Sequence, residues 1–507
     1  MGRDRAVLAL PPGRPSVLSS GWLASRHRPL LLAVACGVLA LGAAAIAPTK
    51  PKDAIALVVG AAMVGAVLLW PLVGAIFLAT LVPITSGLAS GFPVPHVRLS
   101  EVIIGVVGVT VIVFTRRDEV VPWKTLDWVL LGYGLCWAAF GVYGDLILHQ
   151  HLSIEQWGTV VGQFQFFLVY RGIRVAVRTP EERRIVVGWL LLASAPVATL
   201  ALLQKVGAPG VEHFIVKITG GPTGGAATGA GTVGRATGPF GNWAALAGYL
   251  LPVLLVLVAM AFAGIEARRR RLFLVVGLLA GFALALTVEQ SAIICLVVGL
   301  FVLARRYDQD GRLTRWLVVG LLAATAAVSP VLISRLVHEL GRNAGTGRVW
   351  WVPATVSYRW MVWTHQYFPA IGAKPLTGYG VVLPSSVSWP WPESQYVSFL
   401  VEGGVPMLLA FGVLVWAMLD GARAAARAAD PFARALGLSL AIAVVSMVVM
   451  DTMWPFLSNG GMPQVLWALM ALTVPGGLRA AGDGGGRHRP GSAETPGPAA
   501  QRREAWV

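Results

Sequence analysis

The sequence predicts an all-α, polytopic membrane helix bundle, and three observations carry that prediction. Of 507 residues, 56% are hydrophobic and only 13% charged, with a mean hydropathy of +0.70, whereas a water-soluble chain carries about 25% charged residues. Apolar runs near the length a helix needs to cross a bilayer, about 20 residues, recur along most of the chain. The arginines fall in short clusters between those runs. This placement reads the net charge of +16 as membrane topology and not as a nucleic-acid surface, because short basic loops stay on the cytoplasmic side.

Residues 1–29 form a basic cytoplasmic tail with Arg3, Arg5, Arg14, Arg26 and Arg28. The run from Leu30 to Ala47 ends in small residues as a signal peptide does, but its basic leader is long, so it reads as an uncleaved first span. Further runs cover Ala54 to Trp70, Leu72 to Leu88, Leu99 to Phe114, Leu126 to Val142, Trp157 to Ile173 and Ile185 to Leu203. After a gap come Trp243 to Ala263, Leu272 to Leu286, Ala292 to Ala304, Trp316 to Ile333, Tyr396 to Leu419, Ala435 to Met450 and Met462 to Val474. Because several runs are short, the expectation is about twelve to fourteen crossings within a transmembrane domain of residues 30–474. With the full set and a cytoplasmic start, Arg116 and Arg117, Arg174 to Arg184, Arg268 to Arg271, Arg305 to Arg315, Arg423 to Arg434 and the tail from Arg479 all fall on the cytoplasmic side. Both termini are therefore expected there, in a multi-pass protein of the inner or plasma membrane. The Gly-, Pro-, Arg- and Ala-rich residues 475–507 are expected to be disordered.

Two connections on the external side, 204–242 and 334–395, exceed the length of a simple turn, and such loops are usually functional or disordered. The first is glycine-rich between Gly220 and Gly234, a pattern that also suits a plain linker. The second carries Trp350, Trp351, Trp360, Trp363, Trp389 and Trp391, aromatics suited to a cap at the bilayer interface. Cys36, Cys136 and Cys295 each lie inside an apolar run without metal-ligand spacing and read as small core residues. No metal or other cofactor is expected.

The informative polar residues concentrate on the external side. Arg235 and Asn242 stand at the mouth of the span that begins at Trp243. A cation there is not favoured by the helix dipole, and a bound anion would resolve the conflict; contact with a lipid phosphate is the other reading. Arg342, Arg348, Arg359, His365 and Lys374 lie outside against the positive-inside bias, which suggests that some bind an anionic substrate, while snorkelling or pairing with Glu339 explains any one of them. Arg359 and Trp363, four apart, share a helical face. Gly378-Tyr-Gly380 permits a tight turn. Glu393 stands where the next apolar helix begins, suited either to the helix dipole or to a general-base role. Glu402 lies deeper in that helix, and Glu289 faces the same compartment from a turn between two spans.

In order, these features are an Arg-x-x-Gly-x-Phe-x-Asn start to a middle span from Arg235, Arg359-x-x-x-Trp363, Pro375-x-x-Gly-x-Gly380, and a Tyr396-x-x-x-x-x-Glu402-x-Gly helix start. The arrangement, from about Ile185 to Val474, resembles the O-antigen ligase and polymerase superfamily. That resemblance implies a membrane glycosyltransferase that moves an undecaprenyl-diphosphate-linked glycan, without metal, to a saccharide or glycolipid acceptor on the external face. It implies further that Arg235 and Arg359 (or Arg348) hold the diphosphate, with Asn242 beside them, that Glu393 or His365 is the base, and that Lys374, Tyr396, Glu402 and Glu289 support the site. Its partners would be the lipid-linked donor, the acceptor and membrane lipid, with no nucleic acid. Three departures favour a polymerase-like or exopolysaccharide member over a lipid A ligase: Glu393-Ser394 where ligases carry His-Asn or His-Ser, Thr287-Val-Glu-Gln290 where they carry Thr-x-Ser-Arg, and Gly404-Val-Pro-Met407 in place of Gly-x-x-Gly. The competing expectation is a lipid-linked glycan flippase or another multi-span transporter, whose polar groups would lie near the bilayer midplane.

Overall fold

The computed structural model describes residues 51–89, 97–114, 121–220, 234–263, 267–307, 354–458 and 460–473, with Gly311 and isolated helical positions between 315 and 337. The expected first span at Leu30 to Ala47, nearly all of Trp316 to Ile333, Arg348 with Arg342 and Glu339, the central glycine-rich stretch 221–233 and both tails lie outside the described residues. No strand occurs among those described.

In chain order the helices are α1 (Pro51–Leu69), α2 (Pro71–Thr85), α3 (Leu99–Phe114), α4 (Thr125–Ile147), α5 (Ile154–Gly162), α6 (Phe164–Ala176), α7 (Pro180–Lys205) and α8 (Val211–Thr219). They continue as α9 (Trp243–Phe262), α10 (Ala267–Thr287), α11 (Gln290–Tyr307), α12 (Ala354–Val362), α13 (Phe368–Ala373), α14 (Gln395–Ala426), α15 (Pro431–Met450) and α16 (Met462–Thr473). Six of them (α4, α7, α9, α11, α14 and α15) are long and apolar enough to cross a membrane, and five shorter apolar helices accompany them.

The centre of the bundle is α9 with α16. Leu246, Leu250, Leu251 and Leu255 are fully buried in α9, and every residue of α16 is buried. A helix apolar on all sides is stable only where neighbours surround it, and α9 packs against α10, α11, α15 and α16. The outer helices turn apolar side chains outward instead: Trp128, Leu135, Leu278, Phe282, Ile294, Val298 and Leu409 are all exposed. Exposed apolar surface on this scale marks contact with an apolar medium, here the lipid.

Polar side chains set the helix ends. Thr179 caps α7 through the Glu182 N–H at 3.1 Å, and Asp430 caps α15 through the Phe432 and Ala433 N–H groups. Beside α6, a buried charge cluster ties three segments together. Arg174 donates to Asp127 with both side chains fully buried, and Arg171 donates to the Val121 carbonyl at 2.6 Å while lying over the Trp123 ring.

Two expected elements differ. The run from Trp157 to Ile173 is not one span: Ser153 caps a short, largely exposed α5, and the chain turns at Gln163 before α6. Gly158 and Gly162 hold this stretch in helix weakly, so the ladder gives way next to them. The 204–242 connection carries a helix that the sequence reading did not place, α8, entered and left through left-handed glycines at Gly210 and Gly220.

Hydrogen bonds define two ends of the bundle. Ala236 N–H donates to Leu286 O, and Gln395 N–H donates to Asp451 O, which gathers 234–242, the end of α10, the start of α14 and the 451–458 turn. Opposite them lie the start of α7, the end of α9, the start of α10 and the α14–α15 turn, where the arginine clusters collect.

Candidate functional site

At the arginine-poor end, α12 and the π-helical turn Trp363–Tyr367 hold the chain segment that leads into α14. Arg359 Nε donates to Glu393 Oε2 at 2.6 Å, Trp363 Nε1 donates to Pro392 O at 2.6 Å, Gln366 Oε1 accepts from the Trp389 N–H at 3.0 Å, and Tyr367 donates to Trp389 O at 2.7 Å. The four residues lie at i, i+4, i+7 and i+8, one face of a helix. Beneath them Tyr367, Val387, Val397 and Val401 form a small core separate from that of the main bundle. Arg359 and Glu393 each keep 19% of their side-chain surface exposed, so the pair is reachable but largely desolvated.

Glu393 adopts φ = 53°, a left-handed conformation that side chains other than glycine seldom take. Ser394 is the N-cap and Gln395 the first helical residue, so Glu393 stands ahead of the helix and not within its first turn. Its carboxylate is held by Arg359 and the preceding Pro392 carbonyl by Trp363, in place of the helix ladder. Tyr358 and Tyr367 sit close by. Burial pushes both phenols up, with the Glu393 charge adding to each and that of Glu402 adding at Tyr367.

Inside α14 the backbone breaks at Gly404 (φ 64°, ψ −160°). Pro406 has no N–H to offer the Glu402 carbonyl four residues earlier, and the Val405 N–H turns away to Pro375 O at 2.8 Å. The two carbonyls thus freed are taken by the glycine turn: Tyr379 N–H donates to Val401 O and Gly380 N–H to Glu402 O, both at 2.8 Å. Gly378 and Gly380 have positive φ, and a Cβ on Gly378 would lie 2.4 Å from Glu402 O. The tight turn expected from Gly378-Tyr-Gly380 is present. Gln150 secures it from the loop after α4, donating to the carbonyls of Tyr379 and Val382.

Arg235 lies over Trp243 at 4.5 Å. Its loop is clamped by Gln204, whose Oε1 accepts from the Thr237 and Gly238 N–H groups at 2.9 and 3.0 Å, and by Lys205, which donates to Gly234 O at 2.6 Å. Asn242 caps α9 through the Ala244 and Ala245 N–H groups. Trp243 packs near Trp454 at 6.1 Å, and Trp454 belongs to the turn whose Asp451 carbonyl accepts from Gln395 N–H and Ser394 Oγ. Burial pushes the Asp451 carboxyl well up, against the opposing pull of the Phe456 and Leu457 N–H groups. This contact chain connects Arg235 with the residues next to Glu393.

The other expected residues do local work. His365 is exposed, with Nδ1 at 2.9 Å from its own helix's Met361 carbonyl. Lys374 lies over Tyr379 at 4.8 Å. Tyr396 donates to Val448 O at 2.6 Å, pinning α14 to α15. Glu289 accepts from Ser291 Oγ at 2.8 Å within the α10–α11 turn. Sequence reasoning missed Gln150, Gln204, Tyr367 and Asp451. Of these, Asp451 alone carried a signal, as an acid at the end of an apolar run.

Among the described residues no cluster of three or more His, Cys, Asp or Glu could hold a metal ion. The fold defines the class of protein, an all-α helix bundle of the membrane. Compared with protein-family models and with curated proteins, the chain matches none.

Proposed function

We propose that the chain is a membrane glycosyltransferase that takes a glycan from an undecaprenyl-diphosphate carrier and transfers it to a saccharide or glycolipid acceptor. The observation that carries this reading is the Arg359–Glu393 pair, a cation and a carboxylate side by side, largely desolvated, with Glu393 on a strained backbone. In the reaction the bond from anomeric carbon to phosphate oxygen breaks while the acceptor oxygen bonds to that carbon. Negative charge collects on the departing diphosphate, and guanidinium groups fixed in advance stabilise it. Arg359, with Arg235 from the neighbouring loop, supplies them. The acceptor hydroxyl gives its proton to Glu393, which is within reach of a ligand held by Arg359. His365, bound to its own helix, is the weaker candidate for that role.

The test is transfer by the purified protein from a lipid-diphosphate glycan to a saccharide acceptor, followed by mass analysis of the product. Arg235→Ala and Arg359→Ala should each lower turnover by about 10²- to 10³-fold, and Glu393→Gln should do the same with donor binding retained. Full turnover in the arginine variants refutes the reading. A transporter is the second reading, favoured by the break at Gly404 inside a candidate span, since interrupted helices often frame transport sites. It predicts movement of the lipid-linked glycan between leaflets of proteoliposomes without any change in its mass.

A further inference from the structure

At the arginine-rich end a groove of about 530 Å³ opens between α7, α10 and the start of α15, away from the Arg359–Glu393 pair. Its walls include Trp189, Leu192, Leu272 and Phe273. Trp189 and Leu272 remain about half exposed. At its mouth Arg184 lies 3.6 Å from Asp430 and over the Phe432 ring at 5.5 Å. Arg183, the preceding residue in α7, is buried. Arg271, next in the chain to Leu272, is exposed and completes a run of four arginines from Arg268.

We propose that this groove is a binding site for an anionic phospholipid, with the phosphate at Arg184 and Arg271 and an acyl chain against Trp189, Leu192 and Phe273. Three features single out that occupant. The walls belong to helices that carry apolar side chains to the bilayer, so the medium at the opening is lipid. The size lies in the ordinary range for a small-molecule site, roughly 300–1,000 Å³. Among the described lining residues the one cation is Arg184, beside Asp430, and the remaining walls are apolar apart from that pair, a combination that suits a headgroup joined to a chain. A soluble anion would use the mouth and leave the walls unfilled.

The test is retention of labelled phosphatidylglycerol or phosphatidylcholine by the full chain in mixed micelles. Wild type should retain phosphatidylglycerol in preference, and an excess of inorganic phosphate should leave it bound. Arg184→Ala with Arg271→Ala should weaken phosphatidylglycerol by roughly fivefold per arginine and leave phosphatidylcholine unchanged. Gly188→Leu provides a second variant, because a Cβ at this groove residue meets no atom within 4 Å. Its leucine would fill the trough without disturbing the helix and should reduce retention with the thermal melt preserved. Equal retention of both lipids, displacement by phosphate alone, or unchanged retention in Gly188→Leu would each overturn the proposal.

Discussion

Glu393 is held in place by its neighbours' side chains more than by its own backbone preference, and this makes its pairing with Arg359 measurable. At 19% exposure on each side the pair is neither a free surface bridge nor a sealed one. A double-mutant cycle of Arg359→Gln and Glu393→Gln, read from thermal melts in detergent, should return a coupling of about 1 kcal/mol. Asp451 offers a test by pH. Its carboxyl keeps its proton in the folded protein above the ordinary value of 3.8, so the fold binds a proton that the unfolded chain has released. That contribution is complete below the ordinary value and is lost as pH rises through the shifted one. Asp451→Asn keeps an acceptor for the Phe456 N–H, and it should flatten the fall in melting temperature with rising pH and raise stability near neutrality. Arg359 and Trp363 were legible in the sequence because an i, i+4 spacing fixes a shared face. The orientation of His365 was not, since the π turn decides which way it points.

Among the elements, α14 depends most on special residues. Gly404→Ala would force an L side chain into φ 64°, ψ −160° with its Cβ 2.5 Å from Pro375 O, and should cost more than about 2 kcal/mol. Gly412→Ala, eight residues on in the same helix, meets open space and should be neutral or stabilising by up to about 1 kcal/mol. The same melts separate the two. Gly403-Gly404-Val-Pro406 announces a weak point in the sequence, because proline removes a donor wherever it stands. What repairs the gap is a turn some two dozen residues earlier together with Gln150 in the loop after α4. No local pattern reveals that closure. The break at Gln163 was hidden for a related reason: hydropathy sums a window and does not see which turn has lost its neighbours.

For the whole molecule, the apolar runs and arginine clusters were enough to give the fold class, since the bilayer constrains length and charge directly. They also anticipated that the described arginine clusters share an end. In a cysteine-free background, Ser385→Cys in the cap and Ala429→Cys in the α14–α15 turn, both exposed, test the sidedness. A membrane-impermeant maleimide should label the first on intact cells and the second only after permeabilisation. The buried cluster of Asp127 with Arg171 and Arg174 bears on biogenesis. A lone segment with two guanidinium groups partitions poorly into hydrocarbon, at roughly 2.5 kcal/mol or more for each when central. Asp127 belongs to the earlier-synthesised α4, so α6 should dock stably only once α4 is in place beside it, its guanidinium groups meeting that carboxylate as they are buried.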